Sequence, residues 1–275
     1  MMKAVLLSLC LFLWISANSQ EISPLPDQNT QSRRSVGLAA GVCDFHLLDQ
    51  YLSPYIFSGS MFSSRLSFQL QARRILHRVD LSYSYGHPNS EIQPRDVTEN
   101  IGYLSYSLSE AIDEAHIAGN PLILSFGAGV SFFISNTNFI GADKKYSYKW
   151  EEQSWYCSNS LDLHFNGEYQ TSGKNSFFLQ LTLPAWSLIS RPENGHIYNA
   201  ENRRVIFHFL NAELQGKPAF FWEQMAIKSE IGFRQLITSN CRLNLNYQFL
   251  YASSDRPMDL KMYMNQWMLG FDFLF

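Results

Sequence analysis

Asp162, His164 and Glu168 alternate with Leu161, Leu163, Phe165 and Gly167 in the segment LDLHFNGEYQ. In an extended chain this puts one imidazole and two carboxylates on a single face. An imidazole beside a carboxylate can serve as a general base towards water or a nearby hydroxyl, so these three are the candidate catalytic residues, with hydrolysis as the chemistry. The same pattern also suits a buried polar face whose histidine is simply hydrogen-bonded. Other chemistry is thin. Cys43, Cys157 and Cys241 are widely spaced and odd in number, which fits neither a disulfide framework nor a zinc site. No cofactor or metal is expected. With 21 Lys and Arg against 24 Asp and Glu, net -3, there is no basic excess to attract nucleic acid.

The elements that must position these residues alternate with a period of two. The segment NCRLNLNYQFLY sets Cys241, Leu243, Leu245, Tyr247, Phe249 and Tyr251 against Arg242, Asn244, Asn246 and Gln248, the signature of a strand rather than a helix. Similar dyads recur along the chain and predict ten strands, over 35–44, 58–72, 75–86, 97–108, 122–133, 159–170, 176–187, 225–236, 240–252 and 264–275. Connections 73–74, 171–175 and 237–239 are short and lie on one side. Those at 87–96, 134–158, 188–224 and 253–263 are long and lie on the other. Residues 109–121 form the exception, a longer connection on the short-turn side, expected to hold a helical turn.

Composition narrows the class. The chain is 46% hydrophobic and 15% aromatic yet only 16% charged, with a mean hydropathy of -0.16. No apolar run of about 18 residues exists for helical spans, and the aromatic content excludes a disordered chain. Alternating lipid-facing and lumen-facing residues average to this near-neutral hydropathy. Lys3, the apolar stretch 4–15 and Ala17-Asn18-Ser19 read as a secretory signal peptide cleaved near Ser19. Residues 20–34 form a polar, mobile lead-in, and 35–275 the barrel. A periplasmic β-sandwich is the bland alternative. Its strands average about 5 to 6 residues, whereas a tilted membrane strand needs about 9 to 11.

Phe271, Phe273 and Phe275 close the last alternating strand, and here the chain resembles the bacterial outer-membrane β-barrel family. That resemblance implies an all-β, antiparallel up-and-down transmembrane barrel of about ten strands in the outer membrane. Twelve strands result if 188–224 hides two further strands; if the short first strand is lost the count falls to nine, and Val205 to Ala212 is the only supply for closure. It further implies that these aromatics act as the signal read by the barrel-assembly machinery, with outer-membrane lipid as the other partner and a monomer as the expected state. Arg65, Arg78, Asp80, Lys228, Glu230, Arg234, Arg242 and Asp272 then join Asp162, His164 and Glu168 inside, where charges in a narrow lumen must pair or stay hydrated. His77 points outward near the periplasmic rim.

The expected role is surface-structural, ligand-binding or narrow passage, more consistent with a non-enzyme. The competing class is a barrel-embedded hydrolase acting on lipid A or polypeptides at the outer mouth, although no segment matches the motifs of such enzymes. Loop residues Trp150 and Trp155 in 134–158, and Phe220, Phe221 and Trp222 in 188–224, are candidates for recognition, since aromatic loops on a rigid scaffold commonly bind partners.

Overall fold

The computed structural model describes residues 33–50, 55–72, 74–90, 96–143, 148–172, 174–191, 216–220, 223–255 and 259–275. The segments read as signal peptide and most of the lead-in, and Val205 to Ala212, lie outside these residues. Eleven strands follow in order: β1 (Arg33–Asp49), β2 (Ile56–Ala72), β3 (Ile75–Gly86), β4 (Asp96–Ile117), β5 (Asn120–Asp143), β6 (Tyr148–Ser172), β7 (Asn175–Ser190), β8 (Lys217–Phe220), β9 (Gln224–Thr238), β10 (Cys241–Ser254) and β11 (Leu260–Leu274). Each pairs antiparallel with its neighbours, and β1 pairs with β11 from Ser35↔Leu274 to Asp49↔Leu260. That seam closes a ring of ten strands, while the short β8 adds to the outer end of β7.

The alternation in the sequence is what the sheet uses. Leu38, Val42, Phe62, Leu81, Leu245 and Trp267 face outward and are exposed. Their inward neighbours, among them Cys43, Ser63, Asp80, Asn246 and Gln266, are buried. An apolar outer band around a polar-capable interior is the arrangement a bilayer demands, because a closed barrel leaves no unpaired strand edge in the hydrocarbon.

Three expectations are corrected. Residues 109–121 contain no helical turn. Instead β4 and β5 run on to a two-residue hairpin at Ala118 and Gly119, with φ of 51° and 81°, and the paired positive dihedrals match the twist of the strands. A bulge between Ala111 and Asp113 takes up the extra length. All four connections on that side are therefore tight. Second, 134–158 is mostly strand: β5 and β6 stay in register up to Asp143↔Tyr148. Third, 188–224 begins as the end of β7 and ends as β8 and the start of β9.

The lumen is also not polar throughout. Its outer half is filled by an apolar cluster that includes Phe45, Leu47, Met61, Tyr156, Met262 and Met264.

Candidate functional site

The inward charges assemble into layers. Near the periplasmic end Arg242 donates to Asp272 from Nε at 3.1 Å and Nη2 at 2.7 Å. Arg234 donates to Glu168 at 3.1 Å, and its guanidinium lies 4.0 Å over the Phe178 ring. The next layer is the densest. Arg65 donates to Asp80 from Nε at 2.9 Å and Nη2 at 2.8 Å, and from Nη1 to Glu230 at 2.7 Å. Arg78 pairs with Asp80 at 2.7 Å and donates to Gln180 at 2.6 Å. Asn246 completes Glu230 at 2.8 Å. The Lys228 ammonium sits 3.7 Å from the Tyr103 ring centroid.

These contacts span the ring rather than follow the wall. Arg65 on β2 reaches β9, and Arg78 on β3 reaches β7, each four strands away around the barrel. Higher up, Gln266 on β11 donates to Ser84 on β3 at 3.0 Å. Gln224 and Tyr156 join β9 to β6. At the outer mouth Asp49 on β1 accepts from Ser154 on β6 at 2.9 Å and from Arg191 at 2.7 Å. Apolar packing fills the space between the last two layers.

The three candidate catalytic residues do not form one constellation. Asp162 and His164 are 3% and 2% exposed, both inside the barrel. At about 3.4 Å per residue, Glu168 stands about 14 Å along the strand from His164, and it is engaged by Arg234 and by Ser176 at 2.9 Å. His164 Nδ1 is hydrogen-bonded to Thr182 at 3.1 Å. Its Nε2 packs over Gly129, where a Cβ would lie 2.6 Å away, so the glycine makes room for the ring. Among the described residues, His164 Nε2 and Asp162 Oδ2 are buried without hydrogen-bond partners. His77, expected at the rim, is hydrogen-bonded to Tyr106 at 2.9 Å.

Of the loop aromatics, Trp155 is half-buried on β6 and Phe220 is exposed on β8. The Trp150 backbone pairs with Gly141, and Phe221 and Trp222 lie outside the described residues. Cys43, Cys157 and Cys241 are free thiols. No group of His, Cys, Asp and Glu among the described residues could hold a metal ion.

Sequence reading missed Glu99. Its lipid-side neighbours Thr98 and Asn100 are polar, and it pairs with Gly86 just beyond the exposed Tyr85, which places it above the hydrocarbon band. Ser135 and Thr137 donate to its two oxygens at 2.6 and 2.5 Å. Burial pushes this carboxyl up to about 7; the two hydroxyls oppose the shift and the charge of Asp49 adds to it. Because the folded value lies above the ordinary 4.5, the associated stability is complete below about pH 4.5 and is lost as pH rises through about 7. Glu99→Gln should therefore match the wild type at pH 4 and exceed it by on the order of 2 to 3 kcal/mol at pH 8. Urea unfolding in lipid vesicles at both pH values measures the difference, and equal gaps would contradict it.

A closed ten-stranded antiparallel barrel with an exposed apolar band and a charge-paired interior is the fold seen in bacterial outer-membrane β-barrel proteins. Among solved structures the chain is similar to the outer membrane protease OmpT from Escherichia coli, at 9% identity and a TM-score of 0.52, over 94% of this chain and 100% of that one. Similar too are the attachment invasion locus protein Ail of Yersinia pestis (8%, TM-score 0.40, covering 90% and 100%) and neisserial surface protein A (11%, TM-score 0.35, covering 89% and 99%). At such identities the likeness to the first is one of fold alone. No protein-family model and no curated protein matches the sequence.

Proposed function

We propose that this protein is a non-conducting outer-membrane barrel whose lumen is a structural core and whose role, surface-structural or ligand-binding, is exercised at its outer end. One observation carries this reading: side chains on opposite walls meet at successive heights, from Arg78 and Gln180 through Gln266 and Ser84 to Asp49 and Ser154. A solute crossing the barrel would have to break each layer. Buried ion pairs of this kind contribute little net stability over apolar packing but are costly to break singly, so they hold the passage shut. The mature chain is taken to begin after Ser19, to act as a monomer, and to present Phe271, Phe273 and Phe275 to the assembly machinery from the lipid face of β11.

Single-channel recording of the purified barrel in planar bilayers tests the proposal. The expected result is a flat baseline at salt concentrations where open barrels give discrete steps. Reproducible steps of uniform size would overturn it and restore the narrow-passage role.

The alternative hydrolase needs His164 to meet a substrate. Its burial and its separation from Glu168 speak against this, while the Thr182 hydroxyl bonded to it would have to serve as the nucleophile.

A further inference from the structure

The turn side of the barrel carries two arginines that the ion-pair network leaves out. Arg65, Arg78, Arg191, Arg234 and Arg242 each have a carboxylate partner. Arg34 and Arg74 are exposed instead, and among the described residues neither makes an ion pair.

Arg34 marks a definite height. The lipid-facing side of β1 reads Arg34, Val36, Leu38, Ala40, Val42 and Asp44, an apolar run closed by a charge at each end. Asp44 is ten residues on from Arg34, and a tilted strand needs about 9 to 11 to cross the hydrocarbon. Arg34 therefore lies at the headgroup level of the periplasmic leaflet, with Asp44 at that of the outer one.

At the lower level the register sets three strands side by side. Arg34 is opposite Leu70 on β2, and Leu70 is opposite His77 on β3, all on the lipid-facing side. With about 4.8 Å between neighbouring strands, Arg34 and His77 stand about 10 Å apart across Leu70, so both side chains can meet over the leucine. His77 Nδ1 is bonded to the Tyr106 hydroxyl at 2.9 Å; when that hydroxyl is the donor, Nε2 carries the ring proton and remains a donor itself. Arg74 lies in the β2–β3 turn just below. Above Leu70, the exposed Phe68 and Leu66 continue the same side of β2. The nearest described acid on this face is Glu110 on β4, opposite Ile75, which leaves the balance positive and favours a lipid of net negative charge.

From this arrangement we infer that Arg34, Arg74 and His77 form a headgroup site for an anionic phospholipid of the periplasmic leaflet. Its phosphate sits over Leu70, reached by the Arg34 guanidinium and His77 Nε2 from either side and by Arg74 from below. One acyl chain follows Phe68 and Leu66 towards the bilayer centre. Guanidinium groups suit this role because their fork binds phosphate oxygens in pairs. The inference rests on the outer-membrane barrel reading and is independent of whether the lumen conducts.

The test uses the full barrel in nanodiscs of equal phosphatidylglycerol and phosphatidylethanolamine with identical chains, and native mass spectrometry counts the lipids retained on the released protein. The wild type should keep one phosphatidylglycerol in preference. That preference should fall about fivefold in Arg34→Gln, and about fivefold again when Arg74→Gln is added, the worth of one basic side chain near an anionic surface. Lys174→Gln, on the β6–β7 turn, removes a charge elsewhere on the rim and should change nothing. Salt gives a check that needs no variant: exposed charges are screened, so the wild-type preference should shrink as ammonium acetate is raised. Equal retention of the two lipids, a preference indifferent to salt, or one that Lys174→Gln lowers as much as Arg34→Gln, would overturn the site. Inorganic phosphate that displaces the lipid better than chloride at the same ionic strength would overturn it too, since the phosphate alone would then be what is recognised. Heat-modifiable gel mobility of the same samples separates the two failures: a wild-type sample without it refutes the barrel itself, and a folded barrel without lipid preference refutes only the site.

Discussion

Glu230→Ala is expected to destabilise the folded barrel by about 3 to 5 kcal/mol, the usual cost of stripping one partner from a buried ion cluster. Glu230 receives Arg65 at 2.7 Å, Asn246 at 2.8 Å and Arg78 at 3.4 Å. Without it, Asp80 is left to balance Arg65 and Arg78, with Lys228 close by. The cluster sits between opposite walls, so water can reach the orphaned guanidinium groups only if the barrel loosens. Glu230→Gln keeps the shape and one acceptor and should cost distinctly less. Replacing Arg65, Arg78, Asp80 and Glu230 together with apolar residues of similar size should be milder than the single alanine, since what costs most is an uncompensated charge and not the loss of the pairs. Equilibrium urea unfolding in vesicles gives the values. A loss below about 1 kcal/mol for Glu230→Ala would place the cluster in a wet, high-dielectric lumen instead, where ion pairs are worth that little.

The second large effect is at the seam. Gly41 on β1 lies opposite Met268 on β11. A Cβ there would stand 1.8 Å from the Trp267 carbonyl oxygen and 2.8 Å from Met268 Cα. Both obstacles are backbone and cannot swing aside as a side chain would. Glycine within a strand commonly marks such a close approach. Gly41→Val should therefore leave no heat-modifiable form in the outer membrane, whereas Ala40→Val, one residue away on the exposed lipid face, should assemble normally. Gel mobility of boiled and unboiled membrane fractions distinguishes them. Normal assembly of Gly41→Val would mean that the seam can shift.

Which parts of this were legible in the sequence follows from how polarity marks parity. Where one face carries charge and the other leucine, as at Arg65, Asp80 or Glu230, alternation reports both the strand and its inward side, and these residues do meet in the lumen. Where the apolar face turns inward, the lipid-facing rule misleads. Cys43, Phe45 and Leu47 on β1, and Met262 and Met264 on β11, are core residues that alternate with Asp44, His46, Lys261, Tyr263 and Asn265, so the apolar outer half of the lumen is the reverse of the pattern that marks a lipid face. Parity also carries no height. Asp162, His164 and Glu168 share a face, as expected, but a common face along one strand does not make them neighbours. The strand extension through 134–158 was hidden because Tyr, Trp, Lys and Glu there follow no dyad rule once the strands rise clear of lipid. Pro184 could have been read from its type alone as a break in the pairing, and the β7–β9 ladder does stop just before it, at Thr182↔Lys228.

The seam also has a consequence in time. Ser35 finds Leu274, and Asp49 finds Leu260, so the ladder that completes the ring joins the most distant strands of the chain. Every other pairing in the wall joins strands that follow one another along the chain, apart from the step around β8, and can form as soon as its turn is made. Closure alone must wait for β11. Such long-range pairing is intrinsically slow because the entropy of bringing the ends together is spent before any contact rewards it. During that wait the sheet has two bare edges, each a template for another chain. Assembly is therefore a race between the last strand and aggregation. Once the ring has shut, the same seam works in reverse: the barrel has no loose end from which to unravel, and its lifetime is set by how rarely one ladder opens along its whole length.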